Sequence, residues 1–500
     1  MTENTEDAKA LKVAKQLKNA DNWKHLARWH GDGYYDLQTE DTRDAPVRLF
    51  LTPTLLNNAE EILYRQIVNA TRFPGVKMVV ITPDVHYGYG VPVGCVILTD
   101  IESGAVAMGP VGYDIGCGML SAKSDVPVDA ATPEKRMEFN RALTERVNMG
   151  AGGKSVKLGR VNESEFNNLI RGGAEYYVEK YGAEFDRSRA ERHRMPVDDD
   201  WQIPWGGKGK PERGMDQLGS LGGGNHFIEL QKSEETKTLF VQAHTGSRGF
   251  GHGLATNYFE MAKAERPDAI TDIDLGYFTP DSKHYRDYLN AVAAGGNYAI
   301  INRLIIFEQV AEAFHQTFGA ELELIYEISH NLVQKEWHPE YAEVWVHRKG
   351  ATRAFPAGHP GLKGTFWEET GHPVLIPGSN MDWSYILRPA QQAVNSGFSV
   401  NHGAGRRISR GEATRSLNQR KIDDEYRAAG ILVNTDGRVP IDEAAPCYKS
   451  SEEVIEAVVG AGLATIEYKL WPLASLKGTD ERKFRKRRKG KRPEKTSEHF

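Results

Sequence analysis

Val76-Lys77-Met78-Val79-Val80-Ile81-Thr82 is an apolar, β-branched run of strand length, and Val91 to Thr99 is a second. Runs of about four to eight such residues read as buried strands. Working outward, Leu56 to Ala70 reads as a helix before them and Pro133 to Val147 as a helix after. Phe227 to Leu230 and Leu239 to Ala243 are strand-like. Lys283 to Phe318 keeps apolar residues near helical spacing but is interrupted by Gly295-Gly296, which predicts two helices or one kinked helix. Leu322 to Ile328, Val344 to Val346 and Val374 to Ile376 read as short strands. Glu452 to Ala461 is a predicted helix, followed by a last strand toward Leu476. Strands and helices mix without regular β–α alternation, so the expected class is α+β, with mixed sheets surrounded by helices.

The chain has 500 residues, 40% of them hydrophobic, with 50 glycines. That composition is globular and excludes disorder, collagen and coiled coil as descriptions of the whole. The length suits roughly three domains or one large elaborated domain. The longest apolar stretches fall well short of the about 18 residues of a membrane span. Met1 to Lys18 is charged and lacks the apolar segment of a secretory signal. A cytoplasmic protein without membrane association is expected. Three cysteines, Cys95, Cys117 and Cys447, make no disulfide framework.

The net charge of −5 conceals an asymmetry. Arg482 to Arg492 is almost entirely Lys and Arg. We therefore expect residues 479–500 to be a disordered basic tail, attracted to a polyanion with a salt-sensitive affinity. Residues 1–45 read as a polar extension. Residues 184–217, with Asp198 to Asp200 and Gly206-Gly207-Lys208, read as an insertion or long loop.

Chemistry concentrates in Gly-rich segments. In Gly112-Tyr113-Asp114-Ile115-Gly116-Cys117-Gly118 a carboxylate and a thiol lie three residues apart and can converge on one cation, Zn²⁺ or Mn²⁺ better than Mg²⁺. In Gly222-Gly223-Gly224-Asn225-His226-Phe227-Ile228-Glu229, the glycines leave N–H groups open to phosphate. Strand alternation there separates Phe227 and Glu229 from His226 and Ile228, so Glu229 is expected beyond the metal rather than on it. His244 ends a strand ahead of Thr245-Gly246-Ser247-Arg248, where Arg248 suits phosphate, and His330 follows another strand. His347 to Arg353 reads as a basic turn, and Ile376 to Tyr385 as a Gly/Ser turn able to hydrogen-bond a nucleotide. In Asn401-His402-Gly403-Ala404-Gly405-Arg406-Arg407-Ile408-Ser409-Arg410, an imidazole beside the guanidiniums of Arg406, Arg407 and Arg410 suits a nucleophile toward phosphorus. Walker A, Rossmann and HExxH motifs are missing. The reaction class this implies is metal-dependent phosphoryl or nucleotidyl transfer.

These segments in this order resemble the RtcB family of RNA-splicing ligases. The likeness is carried by Asp84-Val85-His86-Tyr87-Gly88-Tyr89-Gly90, Gly-Tyr-Asp-Ile-Gly-Cys-Gly, Gly-Asn-His-Phe-Ile-Glu, His-Thr-Gly-Ser-Arg-Gly, Ser-His-Asn, His-Arg-Lys-Gly-Ala, Pro-Gly-Ser and His-Gly-Ala-Gly-Arg. The resemblance implies a single catalytic domain of the family's type, here 46–478. It implies a GTP-dependent ligase with two Mn²⁺ ions, joining RNA 3′-phosphate or 2′,3′-cyclic phosphate ends to 5′-hydroxyl ends in tRNA splicing or RNA repair. His402 then forms the covalent guanylate. Asp114, Cys117, His226, His244 and His330 fall on the metal ligands, with Cys117 bridging. Asn225, Glu229, Ser379, Ser384, Arg406, Tyr448 and Lys477 fall on guanylate contacts. An archease-type activator is a further implied partner.

Two departures stand out. The family commonly ends at the Lys-Gly matched by Lys477-Gly478, whereas 22 residues follow here. Asn380-Met381-Asp382-Trp383 is bulkier than the small stretch usual after Pro-Gly-Ser. The competing readings are a metal-dependent phosphoesterase without nucleotidyl transfer and a non-catalytic RNA-binding protein.

Overall fold

A computed structural model describes residues 17–183, Arg189 and residues 194–478. The basic tail 479–500, the first 16 residues and part of 184–193 lie outside the described residues. Two large sheets organise the rest. One has seven strands in the order Arg28–His30, Tyr34–Asp36, Val47–Leu49, Val76–His86, Val93–Asp100, Ala342–Lys349 and Asn331–His338. The other runs Glu323–Ser329, Gly118–Pro127, Thr238–Thr245, Phe227–Ser233, Ala464–Lys477, Ser384–Pro389 and Val374–Ile376, with Leu432–Val433 alongside Ala464–Lys477. Among the paired strands only Val47–Leu49 with Val76–His86, and Leu432–Val433 with Ala464–Lys477, are parallel. This is the α+β arrangement expected from the mixed pattern.

Alternation along each strand fills two layers. Met78, Val80, Val96 and Leu98 of the first sheet share a core with Met119, Phe227 and Ile328 of the second. Ile228, Leu230, Val241 and Ala243 face the other way, into a core built on the helix Tyr285–Phe318. That helix is continuous, contrary to the expected break at Gly295-Gly296. The two glycines are points of close approach instead. A Cβ on Gly295 would stand 3.0 Å from Ile115 Cγ2, and one on Gly296 would collide with Met195. They admit the loop that carries Asp114 and Cys117.

Two other expectations change. The helix read over 56–70 is two, Pro53–Asn57 and Leu63–Ala70. The first starts at Pro53, with Thr52 Oγ1 accepting from Leu55 N at 3.1 Å. The polar stretch 1–45 is not all extension: residues from Arg28 pair into the first sheet, and Trp23, Tyr34 and Leu37 are buried. Composition hides this, because a few aromatic anchors suffice to seat a polar segment. The described part of 184–217 likewise buries Met195, Val197, Trp201, Ile203 and Met215 in the helix-side core. No helix among the described residues is long and apolar enough to cross a membrane.

Candidate active site

Four neighbouring strands of the second sheet end together. Ser329 pairs with Gly118, Gly118 with Thr245, and His244 with Phe227. Cys117 precedes Gly118–Pro127, His226 precedes Phe227–Ser233, His244 is the penultimate residue of Thr238–Thr245, and His330 follows Glu323–Ser329. His330 is also the single residue between that strand and Asn331–His338 of the other sheet, so it sits where the chain crosses between layers. Sheet register therefore gathers side chains from four distant places in sequence.

The gathered atoms form two triads sharing Cys117. Asp114, Cys117 and His226 make one, and Cys117, His244 and His330 the other, each with ligand atoms within 4.8 Å of one another. Cys117 Sγ lies 3.5 Å from His226 Nε2 and 3.2 Å from His244 Nε2. His244 Nε2 is 3.2 Å from His330 Nε2, and His226 Nε2 is 3.1 Å from Asp114 Oδ2. His226 Nδ1 faces Leu221 O at 2.9 Å and His244 Nδ1 faces Asn225 O at 3.1 Å. Those carbonyls hold the protons on Nδ1, leaving the Nε2 lone pairs toward the cluster. Asp114 is oriented by Ser247, whose N–H and hydroxyl donate to Oδ1 at 3.0 and 3.2 Å. Gly246 is required beside it, because a Cβ there would stand 2.5 Å from both carboxylate oxygens.

Burial sets the protonation of this cluster. It pushes His244 and His330 well below the ordinary histidine value, so both rings are neutral. It pushes the Cys117 thiol well up, with the Asp114 carboxylate adding to the effect. Asp114 itself goes the other way: burial would raise it, but His226 and Arg248 hold it low. The neutral imidazoles of His244 and His330, a carboxylate and a thiol that needs a cation to ionise fit a borderline divalent ion such as Mn²⁺ or Zn²⁺.

His402 stands against this cluster, its ring edge-on to His330 at 4.9 Å between centroids. It follows the strand Ser399–Asn401. The Asp84 carboxylate, fully buried, takes His402 Nδ1 at 2.6 Å and the N–H groups of His402 and Gly403 at 3.1 and 3.3 Å. Thr82 Oγ1 donates to its other oxygen at 2.6 Å. Burial would raise Asp84, yet His402 and Thr82 hold it below the usual carboxylate range. Asp84 lies where pairing between Val76–His86 and Val93–Asp100 lapses, between Ile81 and His86, which frees its side chain for the site.

One cavity of about 420 Å³ joins these groups, lined by Asp114, Cys117, His244, His330 and His402 at one part and by Asn225, Glu229, Ser379, Arg406, Tyr448 and Lys477 at another. The family profile described as tRNA-splicing ligase RtcB matches residues 66–478. The tRNA-splicing ligase RtcB of Pyrobaculum aerophilum is 35% identical over 465 residues, spanning 87% of this chain and 95% of the relative. That of Thermococcus kodakarensis is 35% identical over 463 residues, with the same coverage of both chains. The RNA-splicing ligase RtcB of Mycobacterium tuberculosis is 35% identical over 445 residues, covering 83% of this chain and all of the relative. The chain belongs to the RtcB family.

In this RtcB-family chain the wall away from the metal-type cluster is organised by Glu443, a residue the sequence reading missed. Its buried carboxylate receives Arg406 Nη1 at 3.3 Å, Lys477 Nζ at 3.3 Å, Arg410 and the Tyr448 hydroxyl. Burial would raise it, but Lys477, Arg410 and Arg406 bring it down to about 2. Glu229 sits apart, its carboxyl pushed up to about 7 by burial against the pull of Gln231 and Lys477. It belongs to neither ligand triad, as strand alternation required.

Several expected contacts are placed differently. Ser384 does not line the cavity; its fully buried hydroxyl accepts Gly378 N at 3.0 Å and Gln231 Nε2 at 3.1 Å, supporting the loop from behind. Arg248 donates to Ser220 Oγ and Gly150 O instead of lining the cavity. The basic turn read over 347–353 is the end of one strand and the whole of another, Ala351–Arg353, and Arg348 is spent on a buried bidentate pair with Glu336 at 2.6 and 2.8 Å. Lys349 lines the cavity, donating to Tyr89 O and Val91 O, with burial lowering it to about 8. Asp84 was visible only as a member of a quoted motif. Glu443 had no sequence signal beyond lying five residues before Tyr448.

Proposed function

We propose that this chain is an RNA ligase that uses GTP to join RNA 3′-phosphate or 2′,3′-cyclic phosphate ends to 5′-hydroxyl ends, in tRNA splicing or RNA repair. The observation that carries this reading is the anchoring of His402, with Nδ1 on Asp84 at 2.6 Å and the ring against the metal-type cluster. With its proton held on Nδ1, the imidazole has its lone pair on Nε2, and Asp84 offsets the charge that develops when Nε2 attacks. The bond from Nε2 to the α-phosphorus of GTP forms as the bond to the β-phosphate oxygen breaks, and pyrophosphate leaves. An oxygen of the RNA 3′-phosphate then displaces His402 from that phosphorus. Finally the 5′-hydroxyl attacks the RNA phosphorus, loses its proton, and GMP departs. A cyclic phosphate must first be opened by water.

Two Mn²⁺ ions, at Asp114, Cys117 and His226 and at Cys117, His244 and His330, would supply Lewis-acid charge to the phosphate oxygens. Glu229 accepts N–H groups of the base, and Asn225, Ser379, Arg406, Tyr448 and Lys477 hold the rest of the guanylate. Ser384 acts through the loop it supports. The partners of this reading are RNA and an archease-type activator. Residues 46–478 form its catalytic unit, and the basic tail 479–500 adds an RNA contact. Three unpaired cysteines agree with a cytoplasmic setting.

The test is incubation with Mn²⁺ and α-labelled GTP beside His402→Ala, followed by denaturing electrophoresis. Acid-labile label on the wild type alone is the expected result, with ligation of 3′-phosphate RNA to follow. Equal label on His402→Ala, or none on the wild type with Mn²⁺ bound and activator supplied, overturns the proposal in favour of a phosphoesterase or an RNA-binding protein.

A further inference from the structure

The loop between the strands Val76–His86 and Val93–Asp100 has a pinned backbone. Gly88 N donates to Gln66 Oε1 at 3.1 Å, and Gly88 O accepts Gln66 Nε2. Gly90 O accepts Asn69 Nδ2 at 2.8 Å. Tyr89 O accepts Lys349 Nζ at 2.6 Å and Val91 N at 2.8 Å. Gly90 takes φ +70°, and a Cβ there would stand 2.6 Å from Asp274 O, so the loop is pressed against that segment.

The side chain of Tyr89 is left in the open on this rigid support. It is 62% exposed, and its hydroxyl has no hydrogen-bond partner among the described residues. Its ring meets Tyr113 at right angles, 6.1 Å between centroids. Tyr113 is itself held, its hydroxyl donating to Asp274 Oδ1 at 2.9 Å and its ring packing on Phe259 at 4.8 Å and His252 at 5.4 Å. Tyr89, Tyr113 and Phe259 line the same large cavity as His402. Tyr113 immediately precedes Asp114, so this aromatic part of the cavity begins beside the metal-type cluster. It includes none of the residues assigned to the guanylate.

We propose that Tyr89 is a positioning residue that stacks on a nucleobase of an RNA end brought to His402. This rests on the reading of the chain as an RNA ligase. An RNA phosphate held at the cluster carries its base only one sugar away, and the guanylate wall is taken by the nucleotide. The accessible surface left beside the cluster is aromatic, and unpaired RNA bases are held on such rings. A tyrosine on a fixed backbone loses little freedom when a base settles on it. Stacking also suits a ligase that must accept different end sequences, because every base offers a π-face.

The test uses the full chain already carrying guanylate on His402, mixed with a single-stranded RNA bearing a 3′-phosphate and another bearing a 5′-hydroxyl. The GTP step then lies outside the measurement. The RNA concentration giving half-maximal ligation is determined for the wild type, Tyr89→Leu and Tyr89→Trp. Each is run with intact RNA and with one abasic residue at either of the last two positions of each end. On intact RNA, Tyr89→Leu should raise that concentration about 5–150-fold, and Tyr89→Trp should stay within about threefold of the wild type. One abasic position should cost the wild type as much as Tyr89→Leu does and cost Tyr89→Leu little more, the coupling expected of two groups in contact. A merely structural role would impair Tyr89→Leu without that coupling. Tyr89→Leu equal to the wild type, Tyr89→Trp as impaired as Tyr89→Leu, or no coupled position at either end overturns the Tyr89 assignment while leaving the ligase standing. A wild type that takes no guanylate, or takes it and joins no RNA, removes the ligase reading and the assignment with it.

Discussion

Replacing Arg303 by Met should both destabilise the protein and loosen its metal-type cluster, for separable reasons. Arg303, in the middle of the helix Tyr285–Phe318, pairs with Glu327, and neither side chain has any exposed surface. Its guanidinium also donates to Gly116 O at 2.6 Å, Thr245 O at 3.0 Å and Ser329 Oγ at 2.8 Å. Those three residues adjoin Cys117, His244 and His330. One planar cation thus ties together three of the segments that carry the cluster. Arg303→Met leaves the Glu327 carboxylate buried without its cation, a loss of about 3–5 kcal/mol. Adding Glu327→Leu removes the stranded charge and should recover about 2–3 kcal/mol of it, because apolar replacement of a whole buried pair is close to neutral. The two carbonyls and the hydroxyl still lack their donor, so recovery stops short of the wild type. Metal affinity should fall about 10–100-fold in the single and the double variant alike, the usual effect of losing a group that orients ligands. Urea unfolding of metal-free protein reads the first quantity, and Mn²⁺ titration followed by the magnetic resonance signal of the free ion reads the second. A double variant that regains wild-type Mn²⁺ affinity would refute the reasoning, reducing Arg303 to a counter-charge for Glu327.

Asp84→Asn removes the charge beside His402 Nδ1 while keeping the side chain's shape, so single-turnover labelling of His402 by GTP should slow by about 10²–10⁴ with Mn²⁺ binding unchanged; an unaltered rate would show that Asp84 only packs. Glu229 gives a pH signature. Its carboxyl is raised from the ordinary 4.5 to about 7 by burial, so its contribution to stability is complete below pH 4.5 and is lost as pH rises through about 7. Glu229→Gln should flatten that limb of the stability profile. GTP affinity runs the opposite way, since a carboxylate accepting guanine N–H groups must be ionised: relative to Glu229→Gln, it should weaken about tenfold per unit below pH 7, and parallel profiles would count against a base contact at Glu229.

Most of the strands and the ligand-type residues were legible in the chain. Apolar β-branched runs located Val76–His86, Phe227–Ser233, Thr238–Thr245 and Glu323–Ser329 to within a few residues of their ends. His244 and His330 stood out because each lies at or just past the end of such a run, His226 because it precedes one after three glycines, and Cys117 and His402 because they lie among glycines beside Asp114 and Arg406. Gly295-Gly296 was misread because glycine lowers helix propensity locally, while here contact with Ile115 and Met195 across the helix decides the matter.

By itself the sequence determined the local periodicities, the chemical types available and the motif order that marks the RtcB family. Only the tertiary structure decided which groups work as pairs. Asp84 and His402 meet across 318 positions, and Glu443 meets Lys477 across 34. Arg303 reaches Gly116 across 187 positions. Such pairings depend on sheet register and helix packing, which bring remote segments within hydrogen-bond distance. Burial then fixes the charge of what meets there, lowering Glu443 among cations and raising Glu229 away from them, and neither shift is written in the residues' own neighbourhoods.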